Sequence, residues 1–175
     1  MWQGYWDFGH HILKTVVPRR VGEPFNATEL EIGFGGGRLL GPASRFFGKV
    51  IGVDIHDNFN EVRAILEAQG IANAELAKGD GRSLPVPDQS IDFVYSFIVL
   101  QHLPLLSTLN AYFADVKRVL KPGKAACLYV GHLPFNWRGI KYLDLETRRV
   151  ETSRDNTLLL RPTQTRRMLK DAGLR

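Results

Sequence analysis

Short apolar runs alternate with longer amphipathic stretches along the chain, which is the pattern of βαβ units on a parallel sheet. Each run is bounded by glycine, proline, asparagine or aspartate, and five of them are predicted as strands. They cover 28–34, 49–55, 74–77, 91–97 and 125–130. The last run is apolar on both faces, which predicts a buried strand. The pattern therefore predicts an α/β fold.

Helices are predicted between the strands because apolar residues recur there at three- and four-residue spacing. The first covers 39–47 and contains Pro42, which predicts a kink or a break. The second begins at Asp57 or Asn58 and presents one apolar face, formed by Phe59, Val62, Ile65 and Leu66.

The remaining helices lie in the second half of the chain. One repeats apolar residues from Leu109 to Leu120 and is stopped by the Lys-Pro-Gly of 121–123. The last begins with Thr163 as its cap and ends at Gly173 as a C-terminal cap. Both are expected to pack on the sheet through their apolar faces.

A single domain with three parts is expected. Residues 1–25 form an N-terminal helical or lid segment, and 26–130 form a ligand-binding core. Residues 131–175 form a substrate-side segment with the final helix; within them, 131–160 carry the weakest pattern and are predicted as loops and short elements. The N-terminal aromatic residues are predicted to pack on the domain: Trp2, Tyr5, Trp6 and Phe8.

A glycine turn at the end of the first strand carries the most specific chemistry. Gly33, Gly35 and Gly37 let the backbone turn tightly and approach a ligand closely. Asp54 ends the second strand, 21 residues after Gly33, where a carboxylate can accept hydrogen bonds from ribose hydroxyls. Together they predict a cofactor that contains adenosine.

Two side chains beside this turn choose between cofactors. A nicotinamide fingerprint needs Gly or Ala at its sixth position, where Arg38 stands here. Glu31 precedes the first glycine; its carboxylate suits the ammonium group of S-adenosylmethionine (SAM) and would repel a pyrophosphate. The residues therefore favour SAM over a dinucleotide.

Four motifs in this order resemble the class I SAM-dependent methyltransferases, in the group that includes the ubiquinone and menaquinone biosynthesis enzymes. They read LEIGFGGGRLL, VIGVDI, GDGRSLPVPDQSIDFVYSFIVLQHL and RVLKPGKAACLYV. The resemblance implies a Rossmann-like three-layer α/β/α sandwich whose sheet has the strand order 3-2-1-4-5. It also implies methyl transfer from SAM to an O, N or C atom of a small-molecule acceptor.

The resemblance also implies roles for individual residues. The methionine part of SAM is assigned to the first motif: Glu31, Gly33, Phe34, Gly35 and Gly37. Asp54 is expected to hold the ribose and Ile55 to pack on the adenine. Asp80 would accept from the adenine amino group with the Gly81 amide beside it, and Ser96 would lie next to the transferred methyl group.

The chain departs from the family pattern in three places. His56 follows Ile55 and is interpreted as either stacking on adenine or facing solvent. Gln101 stands where the family has His or Glu, and His102 follows it. Two further strands would follow Leu174 in the family, so the domain looks shortened. The outer edge of strand five is then expected to be covered by 156–161, by a second copy in a homodimer, or by residues absent here.

The acceptor's general base is not identified by any motif. His102 is the leading candidate and His132 the second, with Tyr129 also considered. No metal site is predicted. The alternative reading is a SAM-binding module of a larger biosynthetic protein or complex, whose acceptor site needs a missing or partner segment.

Composition and charge limit the binding partners and the cellular location that the chain can have. The formal charge is +5, and residues 132–175 hold the whole excess, with 10 basic and 5 acidic residues. We interpret this segment as solvated rather than as a nucleic-acid site, because few stacking aromatics accompany the charges. The single cysteine, Cys127, indicates a reducing compartment. No apolar run approaches the length of a membrane span, and a cytoplasmic location is expected.

Overall fold

Five parallel strands form the main sheet in a computed structural model, which describes residues 2–14, 21, 23–132, 142–143, 149–151 and 156–174. The strands are β1 (Thr28–Ile32), β2 (Lys49–Asp54), β3 (Ala74–Lys78), β4 (Ile91–Ser96) and β5 (Leu120–Leu128). Their order is β3-β2-β1-β4-β5, and every neighbouring pair is parallel. The predicted order is confirmed.

Helices cover both faces of this sheet, so the three-layer α/β/α sandwich is confirmed. They are α1 (Trp2–Asp7), α2 (Leu40–Ser44), α3 (Phe59–Ala68), α4 (Leu106–Val119) and α5 (Pro162–Asp171). A π-helical segment, Phe8–Leu13, continues α1, and short 3-10 turns lie at Pro24–Asn26 and Leu100–His102. Helix α2 is shorter than the predicted 39–47 helix, but it runs through Pro42, so the break predicted at that residue is wrong.

Alternate residues of β1 point into two separate apolar cores. Leu30 and Ile32 join the core beneath α4 and α5, which also contains Val94 and Phe113. Glu29 and Glu31 face the opposite side, toward the core built from Phe8, Phe47, Phe93, Tyr95 and their neighbours. Two acidic side chains are thus buried on the face that α1 and α2 cover.

The N-terminal aromatic residues do not all pack on the domain. Phe8 is buried, but Trp2 is 89%, Trp6 62% and Tyr5 39% exposed, so the packing prediction is wrong for these three. Ile65 on α3 is likewise exposed, since only Val62 and Leu66 of its predicted face are fully buried. The buried face of α3 is therefore narrower than the apolar face that the sequence pattern predicted.

Strand β5 begins earlier than predicted. Helix α4 ends at Val119, and 121–123 lie inside the strand, where a shift of register separates the pairs Ile91–Leu120 and Phe93–Ala125. Lys121 and Lys124 meet Asp92 across this irregularity, at 2.7 and 3.3 Å. Beyond Leu120 the strand is half-buried or exposed rather than buried on both faces, because it forms the edge of the sheet.

A second, mixed sheet forms from the part of 131–160 that the structure describes. Its strands are β6 (Gly131–His132), β7 (Tyr142–Leu143), β8 (Arg149–Glu151) and β9 (Asn156–Leu160), in the order β6-β9-β8-β7. The rest of this predicted loop region lies outside the described residues. Strand β9 pairs in parallel with β6, just beyond the end of β5. The fold-back therefore covers the continuation of strand five and not its 125–128 edge.

The start of the last helix also differs from the prediction. Arg161 occupies the N-cap position and Pro162 is the first helical residue, so Thr163 lies within the first turn and is not the cap. The end is as predicted: Gly173 has φ +78°, its N–H donates to Lys170, and the Leu174 N–H donates to the Leu169 carbonyl. These two bonds form a Schellman motif, which stops the helix.

Candidate functional site

The glycine turn lies at the carboxyl end of β1, where ligands bind in open parallel sheets. A Cβ placed on Gly35 would meet nothing within 4 Å, so the backbone there is open to an approaching ligand. Gly37 is needed for a different reason, because its φ is +76° and a Cβ would lie 2.8 Å from a Val62 methyl group. Packing against Val62 therefore requires glycine at position 37, and its contact with the cofactor stays a prediction.

Asp54 is brought to the same place by the end of β2. Its carboxylate accepts the Gly35 N–H at 2.8 Å and the Ile55 N–H at 2.7 Å. The side chain is only partly covered, with 12% of its surface exposed. One carboxylate therefore joins the two strand ends and keeps oxygen lone pairs for a ligand.

His56 is partly exposed and forms hydrogen bonds that the sequence did not predict. Its Nδ1 accepts the Asn58 N–H at 3.0 Å, so the ring proton lies on Nε2, 2.9 Å from the Gly35 carbonyl oxygen. The same Nε2 lies 3.6 Å from the Asp54 carboxylate. His56 therefore bridges the loop after β2 to the glycine turn, a role that no motif indicates.

The ring of Phe34 lies inside the molecule. Phe34 is 3% exposed and meets the rings of His56 and Phe59 edge-on, with centroids 5.0 and 5.3 Å away. Its side chain supports His56 from below, and only its backbone belongs to the turn. The structure therefore does not present the Phe34 side chain to a ligand.

Glu31 lies behind the glycine turn, 3% exposed, and accepts a hydrogen bond from the Tyr95 hydroxyl at 2.8 Å. Burial raises the pKa of this carboxyl to about 8, although the Tyr95 bond and the positive charge of Arg38 act in the opposite direction. Two residues earlier, Glu29 is fully buried, and neither of its carboxyl oxygens has a hydrogen-bond partner in the described structure. Burial, with Glu31 nearby, raises the pKa of Glu29 well above its ordinary value.

The predicted adenine side is assembled by the loops after β2 and β3. Ile55 is 60% exposed, and a Cβ on Gly81 would lie 3.6 Å from its methyl group, so the two positions are neighbours. Asp80 accepts the backbone N–H groups of Arg82 and Ser83 and the Ser83 hydroxyl. These bonds, the Ser83 amide first, lower the pKa of Asp80 below its usual range.

Ser96 does not present its hydroxyl at the open edge. The residue is fully buried, and its Oγ donates to the Ile32 carbonyl at 3.1 Å. Val99, a little further along, covers Gly33, where a Cβ would lie 2.5 Å from a valine methyl group. Ser96 therefore ties β4 to β1, and its place next to the transferred methyl group stays a prediction.

The three candidate bases lie in different surroundings. His102 is exposed beside Gln101, 3.3 Å between their side-chain nitrogens, and His132 is exposed on β6. Tyr129 is half-buried: its N–H donates to the Ser96 carbonyl at 3.0 Å, and its hydroxyl lies 3.0 Å from His11 Nδ1. Of the three, Tyr129 is the one that the structure ties to the end of β4.

His11, Phe97 and Arg38 are the residues near this edge that sequence reasoning missed. His11 meets the rings of Phe97 and Tyr129 with centroids 5.1 and 5.8 Å apart, and the Arg38 guanidinium lies 5.8 Å from the Phe97 ring centre. His11 and Tyr129 are 118 positions apart, so no local pattern connects them. The adjacent histidines 10 and 11 in an aromatic helix were the available signal.

The described residues offer neither a metal site nor a membrane-spanning helix. Within them, no group of three or more His, Cys, Asp or Glu side chains is placed to hold a metal ion. None of the helices described here is long and apolar enough to cross a membrane.

A family model described as "Methyltransferase domain" matches residues 30–128, which include the glycine turn, β2, β3 and β4. Three curated relatives extend this similarity. An uncharacterized 37.1 kDa protein in a transposon of Streptomyces fradiae is 31% identical over 169 residues, 93% of this chain and 46% of its own length. A sterol 24-C-methyltransferase of Gibberella zeae is 33% identical over 103 residues, 57% of this chain and 26% of its own.

The third relative is a demethylmenaquinone methyltransferase of Geobacillus stearothermophilus, 35% identical over 77 residues, 43% of this chain and 32% of its own. The chain therefore spans less than half the length of these curated relatives. Among solved structures, a SAM-dependent methyltransferase from Aquifex aeolicus superposes with a TM-score of 0.67 at 19% identity, over 97% of this chain and 82% of its own. That likeness is one of fold.

Proposed function

Since the chain belongs to the methyltransferase domain family, whose methyl donor is SAM, we propose that it transfers a methyl group from SAM to a small-molecule acceptor. One observation carries the proposal: Glu31, the open Gly35 backbone and the Asp54 carboxylate meet at one edge of the sheet. An acid for the ammonium group, a backbone without side chains and an acid for the ribose are what the donor's three polar parts need.

The residues of this edge fit SAM and not a dinucleotide. Bound SAM supplies a methyl group on a sulfonium, which needs no acid to leave. Glu31 would hold the amino group of the donor and Asp54 the ribose hydroxyls. The exposed Ile55 with Gly81 would cover one side of the adenine, and Asp80 would accept from its amino group. A pyrophosphate would instead meet the Glu31 carboxyl, which cannot ionise beside it without electrostatic repulsion.

Isothermal calorimetry tests the donor. We expect SAM and S-adenosylhomocysteine to bind with micromolar dissociation constants and NAD to give no heat of binding. The Glu31→Gln variant should weaken SAM binding while keeping a cooperative thermal transition. Binding of NAD without binding of SAM would contradict the proposal.

The acceptor is proposed to be a flat apolar ring compound. Trp2, Tyr5 and Trp6 leave a largely apolar aromatic surface exposed on α1, close to the turn that carries Arg38. Two of the relatives are named for a sterol and for demethylmenaquinone, both ring compounds. The acceptor atom, O, N or C, is open to a direct test: transfer of the labelled methyl group from SAM to a panel of ring acceptors, followed by mass spectrometry of the product.

A second candidate is a SAM-binding module that needs another segment to complete its acceptor site. The coverage of the curated relatives favours it, since the chain matches less than half of each. SAM binding with no methyl transfer to any ring acceptor would support this reading. A homodimer through the β5 edge, the absence of a nucleic-acid partner and a cytoplasmic location stay predictions. Light scattering at several protein concentrations tests the first.

A further inference from the structure

An aromatic and histidine cluster lies beside the proposed donor site. It consists of His11, Phe97 and Tyr129, with Trp6 at its outer side. The His11 Nδ1 lies 3.0 Å from the Tyr129 hydroxyl, and the Phe97 and Tyr129 rings meet edge-on at 73°, with centroids 4.9 Å apart. The Trp6 ring contacts the His11 ring edge-on, with centroids 5.8 Å apart. A polar pair is thus set into an aromatic wall.

The N-terminal helical segment is held in place by its own hydrogen bonds and by the glycine turn. The 8–13 segment is π-helical, with the Lys14 N–H bonded to the Gly9 carbonyl five residues earlier at 3.1 Å. Single π-turns are frequent at functional sites because they change the direction of the side chains they carry. Asp7 forms an ion pair with Arg38, and a Cβ on Gly4 would overlap the Arg38 carbonyl oxygen. Helix α1 is therefore anchored directly on the glycine turn.

The cluster shares strand ends with the donor site. The Tyr129 N–H donates to the Ser96 carbonyl, and the Ser96 hydroxyl donates to the Ile32 carbonyl, directly before the glycine turn. Arg38, from the same turn, covers the Phe97 ring. A continuous set of contacts therefore runs from the cluster to the turn that would hold the methionine part of the donor.

Building on the proposed function, we propose that Tyr129 and His11 are the proton-accepting pair of this methyltransferase and that its acceptor is a planar ring compound with an ionisable hydroxyl group. Phe97 and Trp6 would pack against the ring of that acceptor. Tyr129 would be the catalytic residue that touches the hydroxyl, and His11 the positioning residue that acts through it.

The proton transfer balances with one methyl transfer. A new O–CH3 bond forms as the S–CH3 bond of the donor breaks, and the sulfur keeps the bonding electron pair. The acceptor's hydroxyl proton passes to the Tyr129 oxygen while the Tyr129 proton passes to His11 Nδ1, and the imidazolium then releases one proton to solvent. Burial, then the nearby Cys127, raises the pKa of Tyr129, so the phenol keeps its proton before the acceptor arrives.

The other histidines lack these features. His102 is exposed on a 3-10 turn, and its side chain lies next to that of Gln101. His132 is exposed on β6, paired with Leu160. In the described structure, the side chain of neither histidine forms a hydrogen bond to a residue that is itself bonded to β4. His11 and Tyr129 are therefore the pair to test, with the two other histidines as rivals.

The binding test uses 4-nitrophenol, whose absorbance distinguishes the phenol from the phenolate. At a fixed pH below its free pKa, the protein with bound S-adenosylhomocysteine should increase the phenolate band. The Tyr129→Phe and His11→Gln variants should lose this increase, while His132→Gln, a change at an exposed residue of β6, should keep it. No increase with the unchanged protein, or an equal increase in all variants, would overturn the proposal.

The kinetic test uses the ring acceptor with the highest turnover in the panel. If no acceptor of the panel is turned over faster than 4-nitrophenol, the test uses 4-nitrophenol. Tyr129→Phe should lower kcat at least about 10²-fold with the SAM dissociation constant unchanged. His11→Gln should also remove the acidic limb of the pH profile, because a protonated imidazole accepts no further proton. Such a loss in His102→Ala or His132→Ala, with Tyr129→Phe fully active, would overturn the proposal. If the unchanged protein does not bind SAM, the proposed function itself is refuted.

Discussion

The Nε2 atom of His56 lies 2.9 Å from the Gly35 carbonyl oxygen, while the Gly35 N–H donates to Asp54 at 2.8 Å. The backbone N–H and C=O groups of Gly35 are therefore both held, one by the end of β2 and the other by the loop after it. Lys78 fixes that loop in turn, because its ammonium group donates to the Ile55 and His56 carbonyls at 2.5 and 3.0 Å. Its glycines would allow the turn many backbone conformations, but these hydrogen bonds hold it in one.

The first prediction concerns this anchor. His56→Ala removes one hydrogen bond to Gly35 and frees the turn, so SAM affinity should fall by roughly two- to tenfold, the equivalent of about 0.5–1.5 kcal/mol. Turnover at saturating SAM should stay the same, because His56 lies away from the proposed acceptor cluster. Calorimetry measures the affinity, with Asn60→Ala on the exposed face of α3 as the control. Equal affinities in both variants would show that the anchor does not matter for binding.

The second prediction is that SAM binding releases a proton. The Glu31 carboxyl, with a pKa of about 8, is protonated at pH 6–7 in the free protein, and it must ionise to hold the donor's ammonium group. Affinity should therefore rise with pH between 6 and 7.5, at most about tenfold per unit. Calorimetry in two buffers of different ionisation enthalpy counts the protons, and we expect close to one per SAM at pH 6.5.

Glu31→Gln separates this effect from other ionisations. The variant keeps the size of the side chain and a group that can bond Tyr95, but it has no proton to release. Its SAM affinity should be lower and almost independent of pH over the same range. Proton release that persists in Glu31→Gln would assign the ionisation to another group.

The fold could be predicted in large part because strand order and layer arrangement follow from local patterns. Each strand carries its own apolar run, and parallel strands joined by helices have few allowed arrangements. The errors lie where tertiary contacts decide. Strand β5 takes in 121–123, despite Pro122 and Gly123, because Lys121 and Lys124 pair with Asp92. Trp2 and Trp6 look like core residues in sequence, yet α1 buries only the side that carries Phe8.

The candidate site divides in the same way. The glycine turn and Asp54 are readable because neighbouring positions in a motif carry them. His56 was visible as an unusual residue, but its bond to Gly35 depends on a 21-residue separation that no periodicity shows. His11 joins Tyr129 across 118 residues. Ser96 illustrates the opposite case, since its position in the motif was readable and the direction of its hydroxyl was not.

The third prediction concerns Glu29, the buried acid without a partner. Above pH 4.5 an unfolded chain loses this proton while the native state keeps it, so the native state binds more protons and the free energy of unfolding falls as pH rises. Each such group lowers the free energy of unfolding by about 1.4 kcal/mol per pH unit until the pH reaches its pKa in the native state. Glu31 contributes in the same direction from pH 4.5 to about 8.

Glu29→Met should therefore raise the free energy of unfolding at pH 7 and reduce its decline between pH 5 and 7. Urea unfolding at several pH values measures both quantities. The control is Glu67→Met at an exposed position of α3, where a change within about 0.5 kcal/mol is expected. A variant less stable than the unchanged protein at pH 7 would show that the Glu29 carboxyl contributes favourably despite its lack of a partner.

The last prediction separates the two roles of Asp54, which accepts the Gly35 amide and is proposed to hold the ribose. Asp54→Ala should weaken SAM binding by roughly ten- to a hundredfold, because a hydrogen bond to a charged group contributes about 1.5–3 kcal/mol. Glu67→Ala, at an exposed acid of α3, serves as the control and should bind almost normally. A loosened glycine turn alone could weaken binding too, so the ligand must also be varied. The 2′-deoxy analogue of S-adenosylhomocysteine should bind more weakly than the parent compound to the unchanged protein and equally well to Asp54→Ala. If the two ligands keep the same affinity ratio in both proteins, Asp54 supports the turn and does not hold the ribose.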